Sequence, residues 1–492
     1  MLRVYNTLSG KKEEFKPENP PDPDYARASS GMVKMYVCGI TPYDECHIGH
    51  ARCYVVFDVI RRYLEYRGLK VQYVQNFTDI DDKIINRAKE QMLDARCQMS
   101  VKDKTKEIAE KYITDYFMRM DALNVKKADE YPKVTEHIED IVKVVKGLAE
   151  KGYAYVTEEG VYFEVAKFKD YGKLSHRSAE EMMPGARVEV DKKKKSPLDF
   201  ALWKSAKEDE PSWDSPWGKG RPGWHIECSA MSTKYLGETF DIHGGGQDLI
   251  FPHHENEIAQ AEAYTGKPFA KYWIHNAFVT VNKEKMSKSL GNFFTIREVL
   301  EKYNPMVVRL FLLSAHYRQP INFSDKELDA SKESFQRLKT FAEKVSFISE
   351  KIKAAAIPEI KNQKFLSLRE KFRQAMDDDF NTQKALGYVY ELVLDANVIM
   401  NKILHGKSHD GETISNLKEA EMLFRDFAEV LGLKIETKIL PEEFDSLLAQ
   451  REVARKNKDW DLADKIRKEL DAKGFTIEDT VLGPMLGKDR TA

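Results

Sequence analysis

The chain has 492 residues, 42% of them hydrophobic and 32% charged, the balance of a water-soluble globular protein with room for about three domains. Its formal net charge of −2 excludes a protein held to nucleic acid by bulk basicity, so any such contact must come from local patches. Five scattered cysteines (Cys38, Cys46, Cys53, Cys97 and Cys228) argue for a reducing compartment over a disulfide framework. Residues 1–15 hold no long apolar core and no run approaches the ~20 apolar residues of a membrane span, so a cytoplasmic location with no membrane partner is the expectation.

Residues 1–34 carry a Pro-rich link and lead into a first strand at 35–38, an apolar run. Gly39 and Pro42 break it. From about His47 the pattern turns helical, with Val55, Val56, Val59, Ile60 and Leu64 on one stripe ending at Gly68. A second strand at 71–75 completes a βαβ unit, the start of a doubly wound parallel sheet. His47 and His50 then stand at a helix N-terminus just past a strand's carboxyl end, where such sheets bind ligands and helix N–H groups favour phosphate. Gly49 lacks a Cβ and lets a flat base lie against the backbone. Taken alone, this tetrapeptide is as readily a coincidence on a capped helix. Asp79, Asp81 and Asp82 read either as a turn with a helix cap or as substrate-facing groups, and helical patterns run on to about Gly152.

Residues 153–165 alternate like a hairpin around Glu159 and Gly160. The stretch to about Trp217 is loop-rich and reads as an insertion. Its lysine run at 192–195 is either a solvated turn or a contact with RNA backbone. A short helix follows Gly223, then a strand at 239–243 ended by Gly244, Gly245 and Gly246. Pro252 suits the first turn of a helix from about 253 to 264, and 271–275 is another strand. Residues 280–285 lead into a loop with Lys285, Ser287, Lys288 and Ser289, the composition of a phosphate-closing loop, since lysine is a long, flexible point charge. Beyond it, 295–303, 307–314 and 326–353 are helical by period, with Ser324 a cap. A linker at 354–364 precedes amphipathic helices at 366–403 and 417–431. Residues 444–474 read as two helices and 475–486 as short strands and turns.

Cys38 ends the first strand, Cys228 opens a helix far along the chain, and His253 and Glu257, four apart, share a helix face. Zinc takes such ligands in a tetrahedron. There is no Cys-x-x-Cys, however, and two core cysteines with a capping histidine satisfy the same spacing.

His47-Ile-Gly-His50 together with Lys285-Met-Ser-Lys-Ser289 resembles the signature pair of class I aminoacyl-tRNA synthetases. Tyr36-Val-Cys-Gly-Ile-Thr-Pro-Tyr-Asp, Arg221-Pro-Gly-Trp-His-Ile-Glu-Cys-Ser, His243-Gly-Gly-Gly and Phe251-Pro-His-His-Glu-Asn-Glu257 are similar to arrays of cysteinyl-tRNA synthetases. The likeness is dense over about 35–330 and looser beyond. It departs at Ile40 and Pro42, where that family more often has Pro and Val. The resemblance implies an α/β fold: a doubly wound parallel, Rossmann-like sheet with an inserted connective domain, then an α-helical bundle and a small C-terminal α+β unit. The implied divisions are 1–150 and 221–292 for the catalytic halves, 151–220 for the insertion, 293–360 for stem-contact helices, 361–435 for the bundle and 436–492 for an anticodon-binding unit.

The same resemblance implies one Zn²⁺ per chain on Cys38, Cys228, His253 and Glu257; His254 falls off the helix face that His253 and Glu257 share and is given no ligand role. It places ATP on His47, Gly49, His50 and Lys288, with Mg²⁺ on its phosphates, and gives catalytic roles to His47, His50, Lys285 and Lys288. Thr78 and Trp224 match positions beside the bound cysteine, although Trp224 is as readily a core residue. Arg455, Trp460 and Asp464 match positions that read anticodon bases by stacking and a carboxylate hydrogen bond; a core tryptophan flanked by solvated charges fits the helix pattern as well. The implied reaction is ATP-dependent: the cysteine carboxylate attacks the α-phosphate, and the resulting cysteinyl-adenylate passes its acyl group to the 3′ end of tRNA(Cys). The metal would hold the thiolate and so select cysteine over serine, without a separate editing domain. The family implies a monomer. Two rival readings are a mycothiol-type ligase joining cysteine to an amino sugar and a non-catalytic, zinc-containing RNA-binding protein.

Overall fold

A computed structural model describes residues 1–20, 31–93, 99–182, 194–281, 284–285, 293–352, 359–408, 410–437 and 442–488. The chain divides into two compact units, Met1–Glu327 with Met376–Thr382, and Leu328–Ala375 with Gln383–Ala492.

The first unit is built on four parallel strands, β1 (Met32–Val37), β2 (Lys70–Gln75), β3 (Phe240–Gly246) and β4 (Ala270–Asn276), in the order β4-β3-β1-β2. Helix α1 (Ile48–Tyr66) joins β1 to β2, α2 (Trp224–Leu236) precedes β3, and α3 (Glu255–Thr265) joins β3 to β4. The chain leaves β1 toward one edge of the sheet and β3 toward the other. The crevice at their carboxyl ends is therefore the topological switch point, where sheets of this class bind ligands. Fifteen of the nineteen α1 residues are buried, so α1 is a core helix covered on all sides, more than the single stripe its sequence suggests. Its buried Asp58 is paired: it accepts from Arg62 at 2.8 Å and from Arg309.

Several stretches differ from the sequence expectation. The strand at 239–243 continues through all three glycines to Gly246. A Cβ on Gly244 would lie 2.2 Å from the Phe57 ring of α1, and one on Gly245 3.0 Å from the His254 ring. These glycines mark close approach to the strand and do not end it. Pro252 does not open an α-helix: Ile250–His254 form a wider π turn with a cis Phe251–Pro252 bond, and α3 begins at Glu255. The insertion is more than loop. Strands Ala154–Thr157, Gly160–Phe163, Phe200–Ser205 and Gly220–Pro222 form an antiparallel sheet, with Leu202 and Trp203 buried in the strand that lies inside the expected loop.

The pattern at 366–403, read as one helix, is two, Gln363–Asp377 and Thr382–Leu404. The break falls at Asp379 and Phe380, both left-handed with φ of 65° and 53°. No glycine or proline announces it. The buried Asp379 carboxylate accepts from Tyr5 N at 2.8 Å, Tyr317 Oη at 2.7 Å and Arg318 Nε at 2.7 Å. These charge-assisted bonds outweigh continuation of the helix.

The second unit is helical and ends in a small α+β piece. Helices Glu442–Lys456 and Trp460–Ala472 pack with the hairpin Phe475–Thr480 and Gly483–Lys488 around Phe444, Leu448, Ile466, Leu470 and Ile477. Residues 354–358 of the expected linker lie outside the described residues, and 363–364 already belong to the helix Gln363–Asp377.

Candidate active site and metal centre

His47 is the N-cap of α1. Its Nδ1 accepts from the N–H groups of Gly49 at 3.1 Å and His50 at 3.3 Å, while the His47 N–H donates to His50 Nδ1 at 3.3 Å. The two half-buried rings stack with centroids 3.6 Å apart. A neutral imidazole whose Nδ1 accepts carries its proton on Nε2. The cap therefore turns both histidines into Nε2–H donors at a helix N-terminus, where the helix dipole attracts anions.

Just past β1, three hydrogen bonds fix the Cys38 backbone and its neighbour: Cys38 N–H donates to Gly244 O at 3.1 Å, Cys38 O accepts from Tyr54 Oη at 3.3 Å, and Gly39 N–H donates to Asn76 Oδ1 at 2.9 Å. There it meets Cys228 of α2 and, from the turn and helix after β3, His253 and Glu257. One donor atom from each of these four buried residues lies within 4.8 Å of the others. Cys38 Sγ is 3.8 Å from Cys228 Sγ and 3.4 Å from Glu257 Oε1, and His253 Nε2 is 3.0 Å from the same Oε1. Two sulfurs each about 2.3 Å from one tetrahedral zinc ion stand about 3.8 Å apart, so the observed spacing fits that ion.

The electrostatics agree with the donor set. Burial raises the Cys228 thiol, but hydrogen bonds from Cys38 and His253 more than reverse this and bring it to about 6. Cys38 is pushed well above the ordinary thiol value by burial and then by Cys228. Burial opposes the charge on Glu257, yet His243 and His253 hold its pKa at about 2. Burial likewise opposes the charge on His253, and Glu257 lifts it to about 10. Without an ion, protons and hydrogen bonds hold this cluster; a divalent cation would replace them.

The structure also brings in His254, which the sequence reading placed off the ligand face, and His243 and His275, to which it gave no role. His254 faces the cluster as His253 does, because it stands three residues before Glu257 and His253 four, and both spacings put a side chain beside Glu257 on a helix. Its Nε2 is 3.3 Å from Cys38 Sγ and its Nδ1 2.8 Å from His275 Nε2; His275 Nδ1 lies 2.8 Å from Thr7 Oγ1. His243 Nε2 donates to Glu257 Oε2 at 2.8 Å. Cys38, His243, His254 and Glu257 thus form a second donor quartet sharing two members with the first. Burial drives the His254 pKa far down and His275 to about 3, so both rings are neutral. The only sequence sign of this group was the density of histidines around 243–254.

Trp224 is not a core residue: it is 37% exposed and its ring stacks on His253 at 4.4 Å. Thr78 is buried, and its hydroxyl donates to Glu227 Oε2 at 3.0 Å. Burial and then the Cys228 sulfur push Glu227 well above the usual carboxylate range. The neighbouring acids hold structure. Asp81 caps the helix Asp82–Met92, Asp79 accepts from Thr135, and Asp82 pairs with Lys204 at 2.6 Å and with Arg221. Lys195 pairs with Glu164 at 3.0 Å and lies over Tyr155, and Lys194 lies over Tyr162; residues 192 and 193 are outside the described residues.

Of the lysine loop, the backbone of Lys285 is described and Lys288 lies outside the described residues. Glu284–Lys285 pairs with Val279–Val281, which in turn pairs with Ile321–Phe323. Beyond the loop, Phe294 O accepts from Ile48 N at 3.1 Å and Ile296 N donates to Cys46 O at 2.8 Å, so the chain returns directly to the histidine motif. In the second unit Trp460 is 58% exposed at the start of its helix, with Asp464 exposed one turn on, which excludes a core role for the indole. Arg455 pairs with Asp479, which Arg451 also holds at 2.7 Å.

Comparison with known proteins gives the family. The family model described as the catalytic domain of class I (C) tRNA synthetases matches residues 25–333. A DALR domain model matches 371–436, and a cysteinyl-tRNA ligase anticodon-binding domain model matches 437–483. The cysteine–tRNA ligase of Thermodesulfovibrio yellowstonii is 51% identical, covering 97% of this chain and 98% of its own. The chain belongs to the cysteine–tRNA ligase family of class I aminoacyl-tRNA synthetases. Its relative from Carboxydothermus hydrogenoformans is 52% identical over 98% of this chain and 99% of its own. The structure of Mycobacterium tuberculosis methionyl-tRNA synthetase with methionyl-adenylate shares the fold at a TM-score of 0.61 and 16% identity, over 82% of this chain and 91% of that one. The amino-sugar ligase and the non-catalytic RNA-binding protein are not favoured. Among the described residues no helix is long and apolar enough to cross a membrane.

Proposed function

We propose that this chain ligates L-cysteine to the 3′ end of tRNA(Cys) through cysteinyl-adenylate, with zinc on Cys38, Cys228, His253 and Glu257. The observation that carries the reading is the 3.8 Å pair of sulfurs at the sheet's switch point, beside a helix capped by two Nε2–H donors. Bound there, zinc would supply a soft Lewis-acid site that favours a thiolate over a hydroxyl. A pocket of shape alone separates cysteine from serine by only ~1–3 kcal/mol, whereas faithful translation asks about 10⁴-fold, near 5.5 kcal/mol.

The chain's own residues do the remaining work. His243 orients Glu257 by donating to its second oxygen, and Trp224, stacked on His253, shields the centre from water. Thr78 lines the cysteine side. His47 and His50 donate to the phosphate oxygens as charge shifts in the attack on the α-phosphate, with Gly49 against the nucleotide; Lys285 and Lys288 close over the β- and γ-phosphates, which carry Mg²⁺. In the second unit, the exposed Trp460 and Asp464 contact anticodon bases. Arg455 contributes through the arginine pair on Asp479. Residues 151–220 act as the connective insertion between catalytic halves 1–150 and 221–292, 293–360 as stem-contact helices, 361–435 as the bundle and 436–492 as the anticodon unit of a cytoplasmic monomer.

Cysteine-dependent ATP–pyrophosphate exchange by metal-analysed protein tests this. Exchange with one zinc per chain supports it; full activity in protein free of metal overturns the zinc assignment. Lys288→Ala should slow exchange by orders of magnitude with cysteine affinity near normal.

A further inference from the structure

A metal takes the bare lone pair of an imidazole nitrogen, so a neutral histidine ligand keeps its one proton on the other nitrogen. The structure already distinguishes the two nitrogens of His253. Nε2 faces the donor cluster, 3.0 Å from Glu257 Oε1. Nδ1 lies 2.9 Å from Nδ1 of His225. Two ring nitrogens at hydrogen-bond distance share one proton. With Nε2 bare for the ion, that proton belongs to His253 Nδ1, and His225 Nδ1 accepts it.

His225 is on α2, three residues before Cys228, so both side chains stand on one helix face. One helix thus supplies a sulfur donor and the partner of a nitrogen donor. Trp224 and His225 hold the His253 ring in different ways. The indole stacks on it with centroids 4.4 Å apart and planes 20° from parallel. Stacking fixes the plane of the ring. It is indifferent to a half-turn about the Cβ–Cγ bond, which keeps that plane and puts carbon where each nitrogen stood. The bond to His225 resists that turn, and it remains when the ion takes Nε2. His225 is itself held edge-on by Phe200, with centroids 5.6 Å apart at 81°. Phe200 is buried and opens the strand Phe200–Ser205 of the inserted antiparallel sheet. Contact therefore runs from the insertion through His225 to the metal centre.

We propose that His225 is a positioning residue for the metal: it accepts from His253 Nδ1–H and so aims Nε2 at the ion. This rests on the zinc reading of Cys38, Cys228, His253 and Glu257. Loss of such an outer partner weakens metal binding about 10- to 100-fold.

Three substitutions separate the hydrogen bond from packing. Asparagine carries a carbonyl oxygen where histidine has Nδ1, glutamine carries it one bond further out, and leucine carries none. Zinc affinity by chelator competition, the absorption of cobalt-loaded protein and thermal melting read them. His225→Leu and His225→Gln should each bind zinc about 10- to 100-fold more weakly, with His225→Asn within about threefold of the parent. Cobalt-loaded His225→Leu should keep its sulfur-to-cobalt charge transfer, because both thiolates stay. Its visible bands should weaken, because the nitrogen ligand is no longer held. In a His253→Ala background His225→Leu should cost less than about twofold, since the bond acts through that ring. Parental zinc affinity or an unchanged cobalt spectrum in His225→Leu overturns the proposal. So does an equal loss in His225→Asn and His225→Gln, or the same loss with and without His253. If His225→Leu does not fold, the contrast between His225→Asn and His225→Gln decides, since both keep a polar amide. Failure of the parent to take up one zinc would instead sink the metal reading itself, a separate result.

Discussion

Gly39→Ala tests how the metal centre is built. Gly39 is not in a left-handed conformation; its need is steric. A Cβ there would lie 1.5 Å from Asn76 O and 2.6 Å from Asn76 C, both backbone atoms that cannot rotate away. Van der Waals contact requires more than about 3 Å, so the carboxyl ends of β1 and β2 must part by roughly 1.5 Å. Three hydrogen bonds span that gap or flank it: Gly39 N to Asn76 Oδ1 at 2.9 Å, Thr78 N to Ile40 O at 3.1 Å and Cys38 N to Gly244 O at 3.1 Å. At about 1 kcal/mol each, their loss destabilises the unit by about 3 kcal/mol, which a domain of 5–15 kcal/mol survives. Cys38 moves with the opening, so zinc content should drop below one per chain and exchange should fall about 100-fold. Urea unfolding, a chelator-based zinc assay and pyrophosphate exchange read the three effects. Gly68→Ala is the control: its φ is +83° with nothing within 4 Å of the added Cβ. It should cost only about 1–2 kcal/mol of left-handed strain and keep its metal. Stoichiometric zinc and parental exchange in Gly39→Ala would refute the reasoning.

Cys228→Ser removes the sulfur whose pKa is about 6; zinc content should fall, and the preference for cysteine over serine in exchange should shrink toward the roughly 10- to 200-fold limit of a shape pocket. Zinc uptake by metal-free protein should release two protons near pH 8, from Cys38 and His253, whose pKa values are raised, and approach three below pH 6 as Cys228 also carries one, with Glu257 already ionised. Affinity therefore weakens as pH falls, more steeply below 6, and calorimetry in buffers of different ionisation enthalpy counts the protons. Trp460→Ala, at a site 58% exposed, should leave melting and exchange unchanged while tRNA charging loses about 1–3 kcal/mol of stacking, seen as a raised KM for tRNA.

The elements of the parallel sheet were readable because each is local: an apolar run, a break at Gly39, a helical period, a stop at Gly68. The break at Asp379 was not, since its cause is three partners far away in the chain. Gly244 and Gly245 looked like punctuation because a sequence does not reveal that Phe57 and His254 lie against them. Trp224 and Trp460 each allowed a buried and an exposed reading, and only packing chose between them.

By itself the sequence determined which chemistry was available: two histidines on a helix cap, lysines in a loop, two thiols and an i,i+4 imidazole–carboxylate pair. These depend on residue type and short spacing, which the chain carries locally. Tertiary structure decided which of those groups share a volume. The thiols of Cys38 and Cys228 stand 3.8 Å apart only because β1, β3 and the helices between them converge at one sheet edge. His254 joins them because the same packing brings its ring, three residues before Glu257, to 3.3 Å from Cys38 Sγ. Donor proximity is a property of the packed chain, and no spacing along the sequence encodes it.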